Sequence, residues 1–459
     1  APSPTGFLHL GSLFTSLVAH KVAKDTKGVF YLRLEDTDTK REVEGSGDEL
    51  VRQLAYFGID PKEGYLGHDV GEYGPYKQSD RAYIYKVCIK ELMKKGRAYP
   101  CFCSAEQLEE TRQIQEAMKE IPGYYGDYAI CRTNTPDEAI ARIEAGEPYV
   151  IRFKSMGNHN NKITFHDEVR GDISIAENDM DIVILKSDGL PTYHFAHVVD
   201  DHLMRSTHVI RGEEWISSLP MHVELFGAFG WKQPIYCHTA TLMKMDGESK
   251  RKLSKRKDPE LALAYYQQEG ISRDAVWEFL LTLLNSNYEE WRIANPEADY
   301  HSFPYSIEKM SVSGALVDLD KMRDISKNVI CRMTAEQVRD GWLEWCSEYN
   351  KDFAELINRY PERTVSALNI GRGGDKPRRD IESWKQACDF MSFYYDETFS
   401  ITDSMPEECD EAAVKDFFGR YLAAYDHNDD SAAWFAKVKV ITEDMGFAVK
   451  PKDYKKEPE

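Results

Sequence analysis

Pro2-Ser3-Pro4-Thr5-Gly6-Phe7-Leu8-His9-Leu10-Gly11-Ser12 opens the chain as a turn punctuated by proline and glycine. After His9 and Gly11 it gives way to the apolar run Leu13-Phe14-Thr15-Ser16-Leu17-Val18-Ala19. This order predicts a loop that starts a helix. A helix N-terminus carries unpaired N–H groups and the positive end of a dipole, so it attracts phosphate. His9 can donate to a phosphate oxygen, and Gly11 lets a ligand come close to the backbone. Past the middle of the chain, Lys252-Leu253-Ser254-Lys255-Arg256 reads as a cationic loop. Such a loop can neutralise charge that builds on a pyrophosphate leaving group. Each segment alone has a plainer reading: a histidine before a glycine is often a loop detail, and a Lys/Arg run is often a solvated face.

Around these two segments the chain alternates short β-rich runs with amphipathic stretches. Val29-Phe30-Tyr31-Leu32-Arg33-Leu34 predicts a strand, and 48–57 and 81–95 predict helices, the second ended by Gly96. Strand–helix alternation implies α/β architecture with a doubly wound parallel sheet. Residues 97–188 differ, with Cys101-Phe102-Cys103, a charged helix at 106–120, Cys131 and the β-rich Tyr149-Val150-Ile151-Arg152-Phe153. They read as an insertion between two halves of the sheet, which resumes at Asp181-Ile182-Val183-Ile184-Leu185. From 258 onward the spacing is mostly helical, and 326–459 reads as helical throughout.

The 459 residues allow two to four domains. No stretch approaches the ~18 apolar residues of a membrane span, and no signal peptide is expected. Nine cysteines without a regular framework suit a reducing cytosol. The net charge of −20 argues against nonspecific nucleic-acid binding. Two local basic segments remain for docking: Lys250-Arg251-Lys252-Leu253-Ser254-Lys255-Arg256-Lys257 and Gly371-Arg372-Gly373-Gly374-Asp375-Lys376-Pro377-Arg378-Arg379.

Together and in this order, the two phosphate-directed segments resemble the HIGH and KMSKS signatures of class I aminoacyl-tRNA synthetases. Ala1-Pro2-Ser3-Pro4-Thr5-Gly6, Arg33-Leu34-Glu35-Asp36-Thr37-Asp38, Pro191-Thr192-Tyr193-His194 with Val198-Val199-Asp200-Asp201-His202, and Val209-Ile210-Arg211-Gly212-Glu213-Glu214-Trp215 are similar to bacterial glutamyl-tRNA synthetases. The resemblance runs from residue 1 to about 325. It implies a Rossmann-type parallel sheet split by an inserted acceptor-binding domain and followed by an all-helical anticodon-binding region. The expected divisions are 1–96 and 189–257 for the two catalytic halves, 97–188 for the insertion, 258–325 for a helical stem-contact domain and 326–459 for the anticodon-binding region. Both ends are expected to be cut relative to the gene product, because the chain starts without Met inside what should be a buried first strand and ends without an obvious final helix; the family's substrate-holding arginine would then fall just upstream of Ala1.

The implied activity is glutamate–tRNA ligation in the cytoplasm by a monomer, with ATP–Mg²⁺, L-glutamate and tRNA(Glu) as partners and no membrane. Carboxylate attack on the α-phosphate needs positioning and charge neutralisation, not a protein nucleophile. The resemblance gives that work to His9, Gly11, Ser12, Lys252, Ser254, Lys255 and Arg256. Ser12 stands where the signature ends in histidine. Thr5, His9, Glu214, Trp215 and Lys255 are expected at ATP. Ala1, Ser3, Glu35, Tyr193, His197 and Arg211 are expected at glutamate. There Arg211 would clamp a carboxylate, since a guanidinium does so bidentately, and Glu35 would meet the ammonium. Glu35 and Asp36 could instead pair with Arg33 or cap a helix. His197 stands where some family members have Asn.

Cys101, Cys103 and Cys131 resemble three ligands of the tetrahedral zinc site that many family members carry. Thr133, two residues after the last cysteine, is a poor fourth ligand. Tyr125 is the expected substitute, with Asp127 and Tyr128 as alternatives. Free thiols are the competing reading. Among rival functions, a glutamyl-Q-tRNA(Asp) synthetase stops soon after the cationic loop, whereas this chain runs on from 257 to 459. An inactive RNA-binding paralogue would not need His9 and Lys255.

Overall fold

The computed structural model describes residues 2–4, 8–38, 43–254, 257–374, 376–401, 404–405 and 409–450. Ala1, Thr5, Lys255 and Arg256 lie outside them. The chain divides into two compact units, Ala1–Phe390 and Met391–Glu459.

In the first unit His9 caps the helix Leu10–Asp25, which buries Leu10, Leu13, Phe14, Leu17, Val18 and Val22. These positions recur every three or four residues, so one stripe of the helix faces the core. That core is shared with Leu32, Leu34, Leu50, Leu54 and Phe57, and with the much later helices Arg273–Leu284 and Leu319–Arg332. The indole of Trp277 donates to the Phe57 carbonyl at 2.5 Å, tying the two stretches together. Helices are found at Ser46–Tyr56 and Ala82–Lys94, close to the bounds expected from spacing.

Parallel pairing occurs where βαβ connections require it. His208–Gly212 runs parallel to Ile235–Thr239 over five residue pairs, and the helix Leu219–Phe229 lies between them in sequence. Tyr31–Leu32 runs parallel to Glu63–Tyr65 around the helix Ser46–Tyr56. A parallel pair needs such a crossover, because a tight turn cannot join parallel strands. The antiparallel hairpin Lys162–Asp167/Gly171–Ala176 adds to the edge of Ile235–Thr239 through Tyr236 and Asp167. This hairpin belongs in sequence to 97–188. A separate antiparallel sheet joins Ala98–Cys101, Val150–Phe153 and Val183–Leu185, so the stretch Asp181–Leu185, expected to resume the parallel sheet, instead pairs antiparallel with the inserted region. The expected first strand at the N-terminus is not assigned among the described residues. Residues 2–4 are instead held by the Pro2 carbonyl accepting from Glu35 N–H at 3.0 Å and the Pro4 carbonyl accepting from Ser46 Oγ at 2.8 Å.

Two other expectations need correction. Lys252, read as the start of a loop, ends the strand Ser249–Lys252, paired antiparallel with Leu242–Asp246. Gly247, with φ +64°, makes the turn between them, a conformation that a side chain would oppose. Nor is 326–459 helical throughout: after the helix Pro361–Asn369, no helix is assigned among the described residues until Trp384–Met391. Gly371, Gly373 and Gly374 there have φ of +67°, +79° and +74°, which end an α-helix. The basic character of this loop is also largely used internally. Arg372 donates to the carbonyls of Leu368, Ile330 and Met333 at 3.0, 2.7 and 3.1 Å, Arg378 pairs with Asp380, and Arg379 pairs with Asp324 at 2.8 Å.

The helix Ala335–Tyr349 begins with a reciprocal cap. Thr334 Oγ1 accepts from Gln337 N–H at 3.2 Å, and Gln337 Oε1 accepts from Thr334 N–H at 2.9 Å. Thr334→Ala removes one of these bonds and should lower stability by about 1 kcal/mol. Urea denaturation followed by helical circular dichroism checks this; an unchanged midpoint would contradict it. The second unit contains the helices Glu411–Ala424 and Ser431–Asp444, packed on each other and capped by Asp410 and Asp430. Among the described residues no helix is long and apolar enough to cross a membrane.

Candidate active site

A cleft of about 1620 Å³ opens beside the first helix and the parallel strands. It brings together His9, the cap of the first helix, Gly11 and Ser12 from that helix's first turn, and Ser3 and Glu35 from the segments beside it. Tyr193, His197, Arg211, Glu214, Trp215 and Lys252 line its other walls. The sequence places these residues far apart, and the sheet gathers them.

At the helix end, His9 is the N-cap. Its Nδ1 accepts from Ser12 N–H at 3.1 Å, which puts the proton of the neutral ring on Nε2. Ser12 Oγ lies 3.2 Å from that Nε2. The Ser12 amide is also shared with the His9 carbonyl at 2.8 Å, so a ligand at this turn must compete with His9 for it. A Cβ at residue 11 would stand 3.2 Å from the His9 ring, so glycine there lets the ring fold back over the helix start. Lys252 closes this part of the cleft and faces Glu214 at 3.9 Å. Beyond it, Ser254 N–H donates to Asp258 at 2.8 Å, and Arg251 holds the same carboxylate with bonds of 2.6 and 2.7 Å. Hydrogen bonds from Arg251 hold the Asp258 carboxyl well below the usual range. The segment leading to Lys255 is therefore anchored at both sides.

The far end of the cleft is built on buried charge. Arg33 lies 2.8 Å from Asp201, 3.1 Å from Glu35 and 3.8 Å from Asp200, and Arg81 donates to Asp200 at 2.7 Å. Three carboxylates thus face two guanidiniums, which leaves one negative charge in excess within this cluster. Burial raises the pKa of Glu35, against the opposing pull of Arg33. Glu35 does pair with Arg33, as one of its two readings had it, while still reaching the cleft. Asp36 accepts from Ser79 N–H and Oγ at 2.8 and 2.6 Å and so anchors a neighbouring turn.

Arg211 is almost fully buried, at 8% exposure, yet no carboxylate pairs with it among the described residues. Its Nε donates to His238 Nε2 at 3.0 Å, its Nη1 lies 3.3 Å from His222 Nδ1, and its Nη2 has no hydrogen-bond partner among the described residues. Tyr193 packs against Trp215 with ring centres 4.6 Å apart and stacks on His197 at 5.6 Å. Burial, with Arg211 and Arg33 nearby, holds His197 neutral well below its usual pKa. His197 Nε2 is 3.2 Å from Asp201 Oδ2 but not aligned for a hydrogen bond. His197 thus faces the Arg33 cluster as well as the cleft.

Away from the cleft, the sulfurs of Cys101, Cys103 and Cys131 lie within 4.8 Å of one another, with Cys103 and Cys131 3.6 Å apart. The phenol that joins them is Tyr124, whose Oη is 3.4 Å from Cys101 Sγ and 3.2 Å from Cys103 Sγ. Tyr125, the expected fourth ligand, instead donates to the Ile121 carbonyl at 2.8 Å, and Tyr128 donates to Glu120 at 2.8 Å. The chain extends into Tyr125 before the turn Gly126–Tyr128, and consecutive extended residues point to opposite sides, so only one of the two tyrosines can face the thiols. Three thiols and a phenol at this spacing fit a tetrahedral zinc, whose Zn–S bonds of about 2.3 Å put sulfurs just under 4 Å apart.

Sequence reasoning assigned no role to Asp167, His222 or His238, and left Asp200 and Asp201 as part of a motif only. Two adjacent acids directly after the largely apolar stretch Phe195–Val199 were a signal of buried pairing. His238 gives no comparable sign.

Comparison with known proteins gives the family. The family pattern "tRNA synthetases class I (E and Q), catalytic domain" matches residues 1–323. The glutamate–tRNA ligase of Acetivibrio thermocellus is 51% identical over all of this chain and 84% of its own length. That of Clostridium perfringens is 48% identical over all of this chain and 85% of its own length. The crystal structure of a glutamate tRNA ligase from Elizabethkingia meningosepticum in complex with its amino acid superposes with a TM-score of 0.79 at 28% identity, covering 97% of this chain and 89% of that one. The chain belongs to the class I tRNA synthetases of the E and Q group and, within them, to the glutamate–tRNA ligases. Its fold is the class I synthetase α/β fold with a helical C-terminal region.

Proposed function

We propose that this cleft joins L-glutamate to tRNA(Glu) in two steps. The α-carboxylate of glutamate attacks the α-phosphorus of ATP, which enters as its Mg²⁺ complex, and pyrophosphate leaves with the electrons of the broken P–O bond. The 2′-hydroxyl of the terminal adenosine then attacks the carbonyl carbon of glutamyl-adenylate, and AMP leaves. In this reading Arg211 meets the substrate's side-chain carboxylate, and the excess negative charge around Glu35 meets its ammonium. Ser3 and Tyr193 supply further hydrogen bonds. His9 and the Gly11–Ser12 turn receive phosphate oxygens, Trp215 and Glu214 border the nucleotide, and Lys252, Ser254, Lys255 and Arg256 steady the departing pyrophosphate. Ala1 and Thr5 are assigned to glutamate and ATP by resemblance.

The observation that carries the reading is the buried cation Arg211, held by neutral imidazoles with one N–H group unpartnered. A buried charge without a counter-ion costs several kcal/mol unless a ligand completes it. Charging assays with glutamate, glutamine and aspartate test this. Glutamate alone should charge tRNA(Glu) well; equal use of glutamine would contradict the assignment of Arg211.

The parts beyond the cleft are read by family. Residues 97–188 hold the acceptor end, 258–325 contact the stem and 326–459 read the anticodon, and 1–96 with 189–257 form the catalytic core. The protein acts as a monomer in the cytoplasm, where nine free cysteines stay reduced. Cys101, Cys103, Cys131 and Tyr124 hold a structural zinc, which would cross-link the inserted region and take no part in the reaction. Elemental analysis of protein purified without chelators should give about one zinc per chain. Less than about 0.2 would leave the cysteines as free thiols.

A further inference from the structure

We propose that Asp167 and His238 are positioning residues for Arg211: they aim its guanidinium without neutralising it, and so set the preference for an anionic amino acid. The inference rests on the reading that Arg211 meets the side-chain carboxylate of the substrate.

The geometry fixes every proton in the chain of contacts. Asp167 and His238 have fully buried side chains and lie 2.6 Å apart, Oδ2 to Nδ1. The Asp167 carboxylate also accepts from the N–H groups of Val169 and Arg170, both at 3.0 Å, and from that of His238 at 3.0 Å. With so many donors on it the carboxylate is ionised. It therefore accepts a hydrogen bond from His238 Nδ1–H, which leaves Nε2 as an acceptor. Arg211 Nε, always a donor, fills that acceptor at 3.0 Å.

The same logic runs along the other edge of the guanidinium. Arg211 Nη1 can only donate, so His222 Nδ1 accepts and the His222 proton sits on Nε2, 3.0 Å from His194 Nδ1. Arg211 is thus gripped on two edges by imidazole nitrogens, and Nη2 is left for a ligand. Asp167 lies behind His238, and no bond between it and Arg211 is found.

This is the difference from Arg33 in the same cleft, which is surrounded by Glu35, Asp200 and Asp201. Carboxylates around Arg211 would both orient and neutralise it. An imidazole held as an acceptor orients it and leaves the charge whole. A neutral amide side chain offers one carbonyl acceptor and no charge, and its NH2 finds only N–H donors there, so it binds less well than a carboxylate.

The test uses the full chain in aminoacylation of tRNA(Glu), with Michaelis constants for glutamate and ATP measured separately. His238→Leu removes the acceptor and should raise the constant for glutamate by about 10–100-fold, the scale of one lost hydrogen bond to a charged group. The constant for ATP should stay within about twofold. The glutamate-over-glutamine ratio of kcat/KM should fall in step with the glutamate loss. His238→Gln can accept from Arg211 and donate to Asp167 through its amide, and should recover most of the loss. A side chain that serves only as packing would show the reverse: glutamate and ATP constants rising together, or neither, with no rescue by Gln. Either of these results overturns the proposal. Arg211→Ala run in parallel separates the two claims. If its glutamate constant is unchanged, the reading of Arg211 itself fails; if that constant rises while His238→Leu is normal, only the positioning role fails. Should His238→Leu not yield folded protein, Asp167→Asn decides. It offers an N–H to His238 Nδ1, which moves the ring proton toward Arg211. A glutamate constant raised with ATP unaffected supports the proposal, and an unchanged one overturns it.

Discussion

Arg211→Ala abolishes glutamate use while leaving ATP binding nearly intact. The guanidinium is buried, its Nη2 has no partner among the described residues, and no carboxylate of the protein competes for it there. Removing it leaves a substrate carboxylate in a closed pocket with no cation, which costs about 3–5 kcal/mol for a broken buried pair. That corresponds to a loss of roughly 10²–10³ or more in kcat/KM for glutamate. Initial rates at varied glutamate and at varied ATP measure it. A rise confined to the constant for ATP would place Arg211 at the nucleotide instead.

Lys255→Ala lowers turnover by roughly 10²–10³, the usual effect of deleting one group that meets charge developed in the transition state. The affinity for ATP changes less, because the negative charge that Lys255 meets grows only as pyrophosphate departs. The residue lies outside the described part of the chain, but its approach is well anchored. Asp258 grips Ser254 N–H and Arg251 on the strand just before it. Single-turnover adenylate formation separates chemistry from binding. Equal losses in both would make Lys255 an ordinary ground-state contact.

Where the sequence was legible, a local pattern coincided with the chemistry. His9 and Gly11 stand at the mouth of a long apolar-periodic helix, so the capped start could be read from the turn residues alone. Arg211 was legible because its neighbours carry a family motif. What escaped was whatever depends on two distant segments meeting. His238 and Asp167 face each other only because Ile235–Thr239 and Lys162–Asp167 pair at one residue, and nothing in either segment announces that register. The strand Ser249–Lys252 was missed because its four residues have no apolar alternation; it exists through its partner Leu242–Asp246. Tyr124 and Tyr125 are chemically equal in sequence. The choice between them is made by which side of an extended backbone faces the thiols.

ATP–pyrophosphate exchange by the full chain, with glutamate and tRNA(Glu) present together, tests the central claim most directly. The account predicts label passing from pyrophosphate into ATP only when glutamate is supplied, with glutamine giving no signal. Absence of glutamate-dependent exchange in the presence of tRNA(Glu) would contradict it.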